Sequence, residues 1–166
     1  MTFLWRIILA NLSICVLFLI DRLTKNFSFG LPEGGLSLAE APRFWGLGGF
    51  FFQKFISLEF YKNYYLIFNL KIPSLLLYFS IFLTLFVLLI FLVKNYHAKN
   101  TFMVFCFSLI LIGAISNLLD RLYYGYVIDF LSFFDYSIFN LADVFIFVGA
   151  GLIILKLTEK VSNPKL

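Results

Sequence analysis

The chain has 166 residues, 62% of them hydrophobic, 21% aromatic and 13% charged, with a formal net charge of +4. Soluble domains carry about 45–50% apolar and roughly 25% charged residues, so this chain lacks the polar side chains to cover a water-facing surface. Disorder is excluded as well, since it needs low hydrophobicity and high charge, and an integral membrane protein is left. The excess of 13 Lys+Arg over 9 Asp+Glu is mild and scattered, which argues against a nucleic-acid partner and fits basic cytoplasmic segments.

A helix rising 1.5 Å per residue needs about 20 residues to cross about 30 Å of hydrocarbon. Four apolar segments meet that need, at about 4–20, 72–93, 101–119 and 139–155. Each is expected to be helical, because lipid offers no partner for unpaired backbone groups. The first segment follows Arg6 like a signal peptide, but Asp21-Arg22-Leu23-Thr24-Lys25 comes after it rather than a small-residue cleavage site. Leu12-Ser13-Ile14-Cys15 has bulky Ile14 where a lipobox needs a small residue, so this segment is read as a retained helix.

With the N-terminus in the cytoplasm, basic residues are about 2.5-fold denser on the inner segments, which carry Arg6, Lys94, Lys99, Lys156, Lys160 and Lys165. Both termini are therefore expected inside. The long outer segment, about 21–71, holds Gly30, Pro32, Gly34, Gly35, Gly46, Gly48 and Gly49, then an aromatic run beginning at Phe50. Ile56-Ser57-Leu58-Glu59-Phe60 alternates apolar and polar, a strand signal. Phe50, Phe51, Phe52, Tyr61, Tyr64 and Tyr65 suit the headgroup region. The expected fold is thus an all-α integral membrane protein of a single domain, four transmembrane helices with a small extracytoplasmic β-containing platform resting on the bilayer.

Polar and ionisable residues at membrane depth are costly and by default functional candidates. Here they gather between 117 and 143: Asn117, Asp120 and Arg121 near the end of the third helix, Asp129 in the connection, Asn140 and Asp143 opening the fourth. Spacings of three and four place Asn117 with Asp120 and Arg121, and Asn140 with Asp143, on single helix faces. Asp129 and Asp143 can converge across the helix–loop–helix corner. Two carboxylates in one space cannot both ionise cheaply, so one can take a proton from water while the other polarises a carbonyl, as in aspartic proteases. Asn117 and Asn140 would donate to the oxyanion or hold the aspartates. A plainer reading makes Asp120–Arg121 a structural charge pair, Asn140 a helix cap, and Asp21–Lys25, at i and i+4, a helix-end ion pair. An ion or proton conduit would need charges at successive depths, and the inner halves of the segments almost lack them.

Cys15 and Cys106 lie inside apolar segments and read as small hydrophobic residues. His97 is the single histidine, and no CxxC or HExxH pattern occurs, so neither a metal site nor a histidine-based triad is expected.

Gly113-Ala114-Ile115-Ser116-Asn117-Leu118-Leu119-Asp120-Arg121, Tyr124-Gly125-Tyr126-Val127-Ile128-Asp129-Phe130 and Phe139-Asn140-Leu141-Ala142-Asp143 resemble, in order and context, lipoprotein signal peptidase (signal peptidase II). Asp21-Arg22-Leu23-Thr24-Lys25 is similar to that family's D-x-x-T-K motif. The resemblance spans essentially the whole chain. It implies an aspartic endopeptidase of the bacterial inner membrane, with its site near the outer face. The implied substrate is a prolipoprotein carrying a diacylglyceryl group on its lipobox cysteine, cut just before that cysteine. By the same resemblance Asp129 and Asp143 are the catalytic dyad. Asn117, Arg121, Asn140 and Asn63 support it or position substrate, while Asp120, Asp21 and Lys25 are structural charges. No metal or cofactor is implied, and the partners are substrate and membrane lipid, the enzyme acting as a monomer. Two departures bear on the substrate groove. Tyr65 and Ile67 occupy small positions of the family's N-x-G-x-A-F stretch, and Ser116 stands where glycine is usual. A catalytically inactive paralogue that binds lipoproteins or other helices is the alternative.

Overall fold

The structure, a computed structural model, describes residues 3–30, 56–64, 73–133 and 137–162. The expectations for Pro32 through Phe52, and for Tyr65 and Ile67, lie outside the described residues. Four helices, α1 (Phe3–Ser28), α2 (Ser74–His97), α3 (Thr101–Tyr124) and α4 (Leu141–Ser162), and three strands, β1 (Ile56–Asn63), β2 (Val127–Phe133) and β3 (Ser137–Phe139), make up the described fold. All four helices are long and apolar enough to cross a membrane. At 22 to 26 residues each, they run about 33–39 Å.

α3 is the hub, packing against α1, α2 and α4. Its start is fixed by Asn100, whose side chain accepts from the Met103 amide at 3.2 Å, an N-cap. Gly125 ends it in the left-handed conformation at φ 80°, which a residue without Cβ adopts cheaply. Two glycines bring α3 and α4 together. A Cβ on Gly113 would collide with the Ala142 carbonyl, and one on Gly149 with the Cys106 carbonyl and Ile110. Close approach through small residues is how helices pack where lipid removes the hydrophobic drive. α2, by contrast, has no buried residue and meets α3 through a stacked Phe91–Phe107 pair 5.6 Å apart.

The strands form one antiparallel sheet ordered β1-β2-β3. Asn63 pairs with Val127 and Tyr61 with Asp129, and the register shifts between Leu58 and Tyr61. The sheet lies at the end of the bundle where α1 and α3 finish and α4 begins, in contact with α1 and α3.

Every helix runs past the end expected from the sequence: α1 to Ser28 rather than about 20, α2 to His97 rather than 93, α3 to Tyr124 rather than 119 and α4 to Ser162 rather than 155. A hydropathy window stops at charges, but a helix carries them onward, paired inside the protein in α1 and α3 and as the exposed Lys156–Glu159 pair in α4. The platform is also shared. Among the described residues, the 21–71 segment contributes β1, while β2 and β3 are built from the connection before α4.

Candidate functional site

The first turn of α4 sets the geometry. Asn140 Oδ1 accepts from the Asp143 amide at 3.0 Å, and the Asp143 carboxylate accepts from the Asn140 amide at 3.3 Å. This is a reciprocal capping box with Asp143 as its acidic member. The Ala142 amide is satisfied from another helix, donating to Asp21 Oδ1 at 2.9 Å. The exposed amides of a helix start favour carboxylates at both positions.

From α3, Asn117 Nδ2 donates to Asp143 Oδ1 at 2.7 Å. From β2, Asp129 is almost fully buried. Its Oδ1 accepts from Asn140 Nδ2 at 2.6 Å and its Oδ2 from Asn63 Nδ2 of β1 at 2.8 Å. Asn140 Nδ2 also lies 3.1 Å from Asn117 Oδ1, so Asn140 ties the Asp129 side to the Asp143 side. Burial pushes the Asp129 carboxyl up to about 7, with the nearby Asp143 carboxylate adding to the rise. Hydrogen bonds from Asn63 and Asn140 and the Lys25 charge act in the opposite direction.

Behind this pair lies a buried ionic cluster. Lys25, fully buried, places its ammonium 2.7 Å from Asp120 Oδ2, 3.2 Å from Asp21 Oδ2 and 2.9 Å from Asn117 Oδ1. Its three N–H groups thus have three acceptors. Arg22 pairs with Asp120 Oδ1 at 2.6 Å. Ser116 Oγ donates to Asp21 at 2.5 Å and accepts from Arg22 at 3.1 Å. The Ile128 amide of β2 donates to Asp120 at 3.3 Å, linking the cluster to the strand that carries Asp129. Two cations face two carboxylates, which is what burial of charge demands.

All nine residues singled out in the sequence fall at this end of the bundle. Asp129, Asp143, Asn117, Asn140 and Asn63 share one hydrogen-bonded set, and Asp21, Lys25 and Asp120 form the ionic cluster beside it. Arg121 Nη1 reaches the Asn117 carbonyl at 3.3 Å, and its own carbonyl accepts from Tyr78 of α2 at 3.1 Å. One expectation needed correction. The local reading of Asp120 with Arg121 missed the long-range partners, Arg22 and Lys25. The Asp21–Lys25 pair is present at the end of α1, with Lys25 in the last turn and both side chains buried. Arg22 and Ser116 were not foreseen as members. A signal was present in the spacing Ile7, Ile14, Asp21, Lys25, Ser28, which is one buried stripe of α1. Among the described residues no group of three or more His, Cys, Asp or Glu side chains is placed to hold a metal ion.

Outside the cluster an aromatic shelf covers the sheet end. Phe29 packs on Phe60 and Tyr124, Tyr64 on Tyr126, and the Lys62 ammonium lies 5.7 Å from the Phe60 ring and 5.9 Å from the Tyr126 ring. Tyr61 and Tyr64 remain exposed.

The model of the family described as signal peptidase (SPase) II matches residues 13–159, a stretch that contains every member of both clusters. The chain belongs to the signal peptidase II family. It is 45% identical over 88 residues to a protein named "Lipoprotein signal peptidase" from Streptococcus thermophilus (strain CNRZ 1066), covering 50% of this chain and 57% of the relative. A protein of the same name from Brucella ovis is 47% identical over 62 residues, 35% of this chain and 39% of the relative. These alignments span little more than half, or less, of the relatives' length. A solved bacterial membrane enzyme structure, obtained by the in meso method at 2.3 Å resolution, superposes with a TM-score of 0.73 at 26% identity over 94% of this chain and 91% of that one. A second, at 1.9 Å, gives 0.67 at 25% identity over 89% and 91%. The signal peptidase II family and the four membrane-length helices make this a multi-pass bacterial membrane protein.

Proposed function

We propose that the chain is a membrane aspartic endopeptidase that removes the signal peptide from diacylglyceryl-modified prolipoproteins, cutting just before the lipidated cysteine. The observation that carries this reading is the amide bridge of Asn140 and Asn117, which binds Asp129 on one side and Asp143 on the other. Family membership and the names of the relatives support the lipoprotein substrate.

In the reaction, the ionised member of the pair takes a proton from water, and the hydroxide oxygen attacks the scissile carbonyl carbon. The neutral member gives its proton to the developing oxyanion. Collapse of the tetrahedral intermediate breaks the C–N bond. As it collapses, a hydroxyl of the diol intermediate gives its proton to the pair and the cysteine nitrogen takes one from it, so the pair returns to its starting state with one proton. The Asn117 and Asn140 amides are engaged with protein groups on both their oxygen and nitrogen sides. That favours a role in holding the aspartates over one in binding the oxyanion. Asn63 and Arg121 complete the support. Asp21 and Asp120 tie the helices together. The enzyme works as a monomer without a cofactor, both termini in the cytoplasm. Its site is near the outer face of the cytoplasmic membrane, at the depth where a lipid-anchored substrate holds its scissile bond.

Ser116 belongs to the ionic cluster behind the pair, so this departure from the family pattern gives no ground for an inactive chain. The test mixes the purified protein with a diacylglyceryl-modified prolipoprotein, alongside Asp129→Asn and Asp143→Asn. The parent should cleave, and each variant should lose about a thousandfold or more while remaining folded. A folded parent that binds the substrate without cutting it would instead make the chain a lipoprotein-binding module.

A further inference from the structure

The two carboxylates of the pair are not held alike. Asp143 Oδ2 faces a backbone N–H, that of Asn140, which can only donate. Asp143 Oδ1 faces the Asn117 side-chain amide, a group that could turn either its oxygen or its nitrogen toward it. Lys25 removes that freedom. An ammonium has no acceptor, so the Asn117 oxygen must face Lys25, at 2.9 Å, and its nitrogen must face Asp143. The Asn140 side chain is locked in the same way. Its oxygen caps the Asp143 amide, so its nitrogen must face Asn117 Oδ1 and Asp129 Oδ1. Both oxygens of Asp143 therefore meet donors whose direction is fixed. On Asp129, Oδ1 meets the Asn140 side-chain amide and Oδ2 the Asn63 side-chain amide of the separate strand β1, and neither of these donors is a backbone N–H.

The charged surroundings favour the same asymmetry. Asp143 sits in the first turn of α4, where the helix start attracts an anion. Lys25 of α1 and Arg121 of α3 act on both carboxyls, so the helix start is what sets Asp143 apart from Asp129 of β2 opposite it. Asp21 and Asp120 are occupied by Lys25, Arg22 and Ser116.

We propose that Lys25 is a positioning residue that decides which member of the pair holds the proton: by locking the Asn117 amide it keeps Asp143 the water-activating anion and leaves the proton on Asp129. The inference deepens the proteolytic reading and rests on it for the role of the proton, though not for its location. The rise of the Asp129 carboxyl to about 7 agrees with it.

Infrared spectroscopy of the full chain with isotope-labelled aspartate tests the location directly. Below neutral pH the parent should have a protonated-carboxyl band that titrates near 7. Asp129→Asn should remove it, and Asp143→Asn should keep it. A band that survives Asp129→Asn and vanishes in Asp143→Asn overturns the proposal, whether or not the Lys25 variants fold. Lys25→Gln tests the lever, since glutamine can accept as well as donate. The double variant Asp21→Asn/Lys25→Gln removes one charge of each sign, so the buried cluster stays balanced. Whichever of these folds should lose about tenfold or more in kcat, with KM within about twofold. A purely structural Lys25 would lower thermal stability but leave kcat at the parent value, and that result overturns the lever. An inactive parent with the band on Asp129 would sink the peptidase reading alone, and an active parent with the band on Asp143 would sink this inference alone.

Discussion

Along α1 the buried stripe changes character between Ile14 and Asp21. Below that point it presents Ile7 and Ile14 to the bundle, and above it Asp21, Lys25 and Ser28. α3 changes in the same direction, from Val104, Cys106 and Leu109 to Ser116, Asn117 and Asp120. The apolar half needs only shape, because its side chains pack comparably well against protein or lipid, and α2 crosses with no buried residue at all. The sheet end needs specific partners. An unpaired charge there would face several kcal/mol of desolvation, so each polar group dictates where its neighbour must be. The lesson is a division of labour within single helices: the apolar half sets depth in the bilayer, and the polar half sets the relative positions of α1, α3, α4 and β2.

This contrast predicts unequal mutational costs. Asp120→Asn removes the carboxylate that serves both Arg22 and Lys25 and should cost about 3–5 kcal/mol. It would appear as a large drop in folded yield and thermal midpoint, greater than any change in turnover per folded molecule. A well-folded but inactive Asp120→Asn would move that residue from scaffold to chemistry. Gly113→Ala pushes a methyl group against the Ala142 carbonyl and should cost about 1–3 kcal/mol. Because Ala142 precedes Asp143 in the capping turn, turnover should fall with stability, and a stable, fully active variant would show that this approach is not needed.

The Asp129 carboxyl, raised from 3.8 to about 7, gives a pH test. In that window the folded chain binds more protons at this site than the unfolded chain, so stability falls as pH rises from about 4 to about 7 and then levels. Asp129→Asn should flatten this slope in thermal melts, and an unchanged slope would assign it to other groups. Activity, needing the proton on one member, should decline above about 7. Phe82→Ala, on the exposed face of α2, should change stability least, by about 0.5 kcal/mol or less, as read from thermal melts. A larger loss would mean that α2 packs against something other than lipid.

Much of this could be read before any fold was known. Four long apolar runs leave no choice but membrane helices, since backbone groups in lipid must satisfy one another locally. Asp129, Asp143, Asn117 and Asn140 stood out because polar residues are scarce at that depth, and the strand at 56–60 was visible in its alternation. What sequence distance hid was pairing. Arg22 and Asp120 are 98 positions apart and Ser116 and Asp21 are 95 apart, so neighbour-based reasoning gave Asp120 to Arg121 and ended α1 at its first charges. Likewise, no local pattern announces that β2 and β3 complete a sheet begun by β1. Composition and periodicity fix what each segment must avoid, namely lipid for charges and water for apolar faces. Which buried donor meets which acceptor is decided only when the helices pack, because that choice is made by distances of about 3 Å between residues the chain keeps far apart.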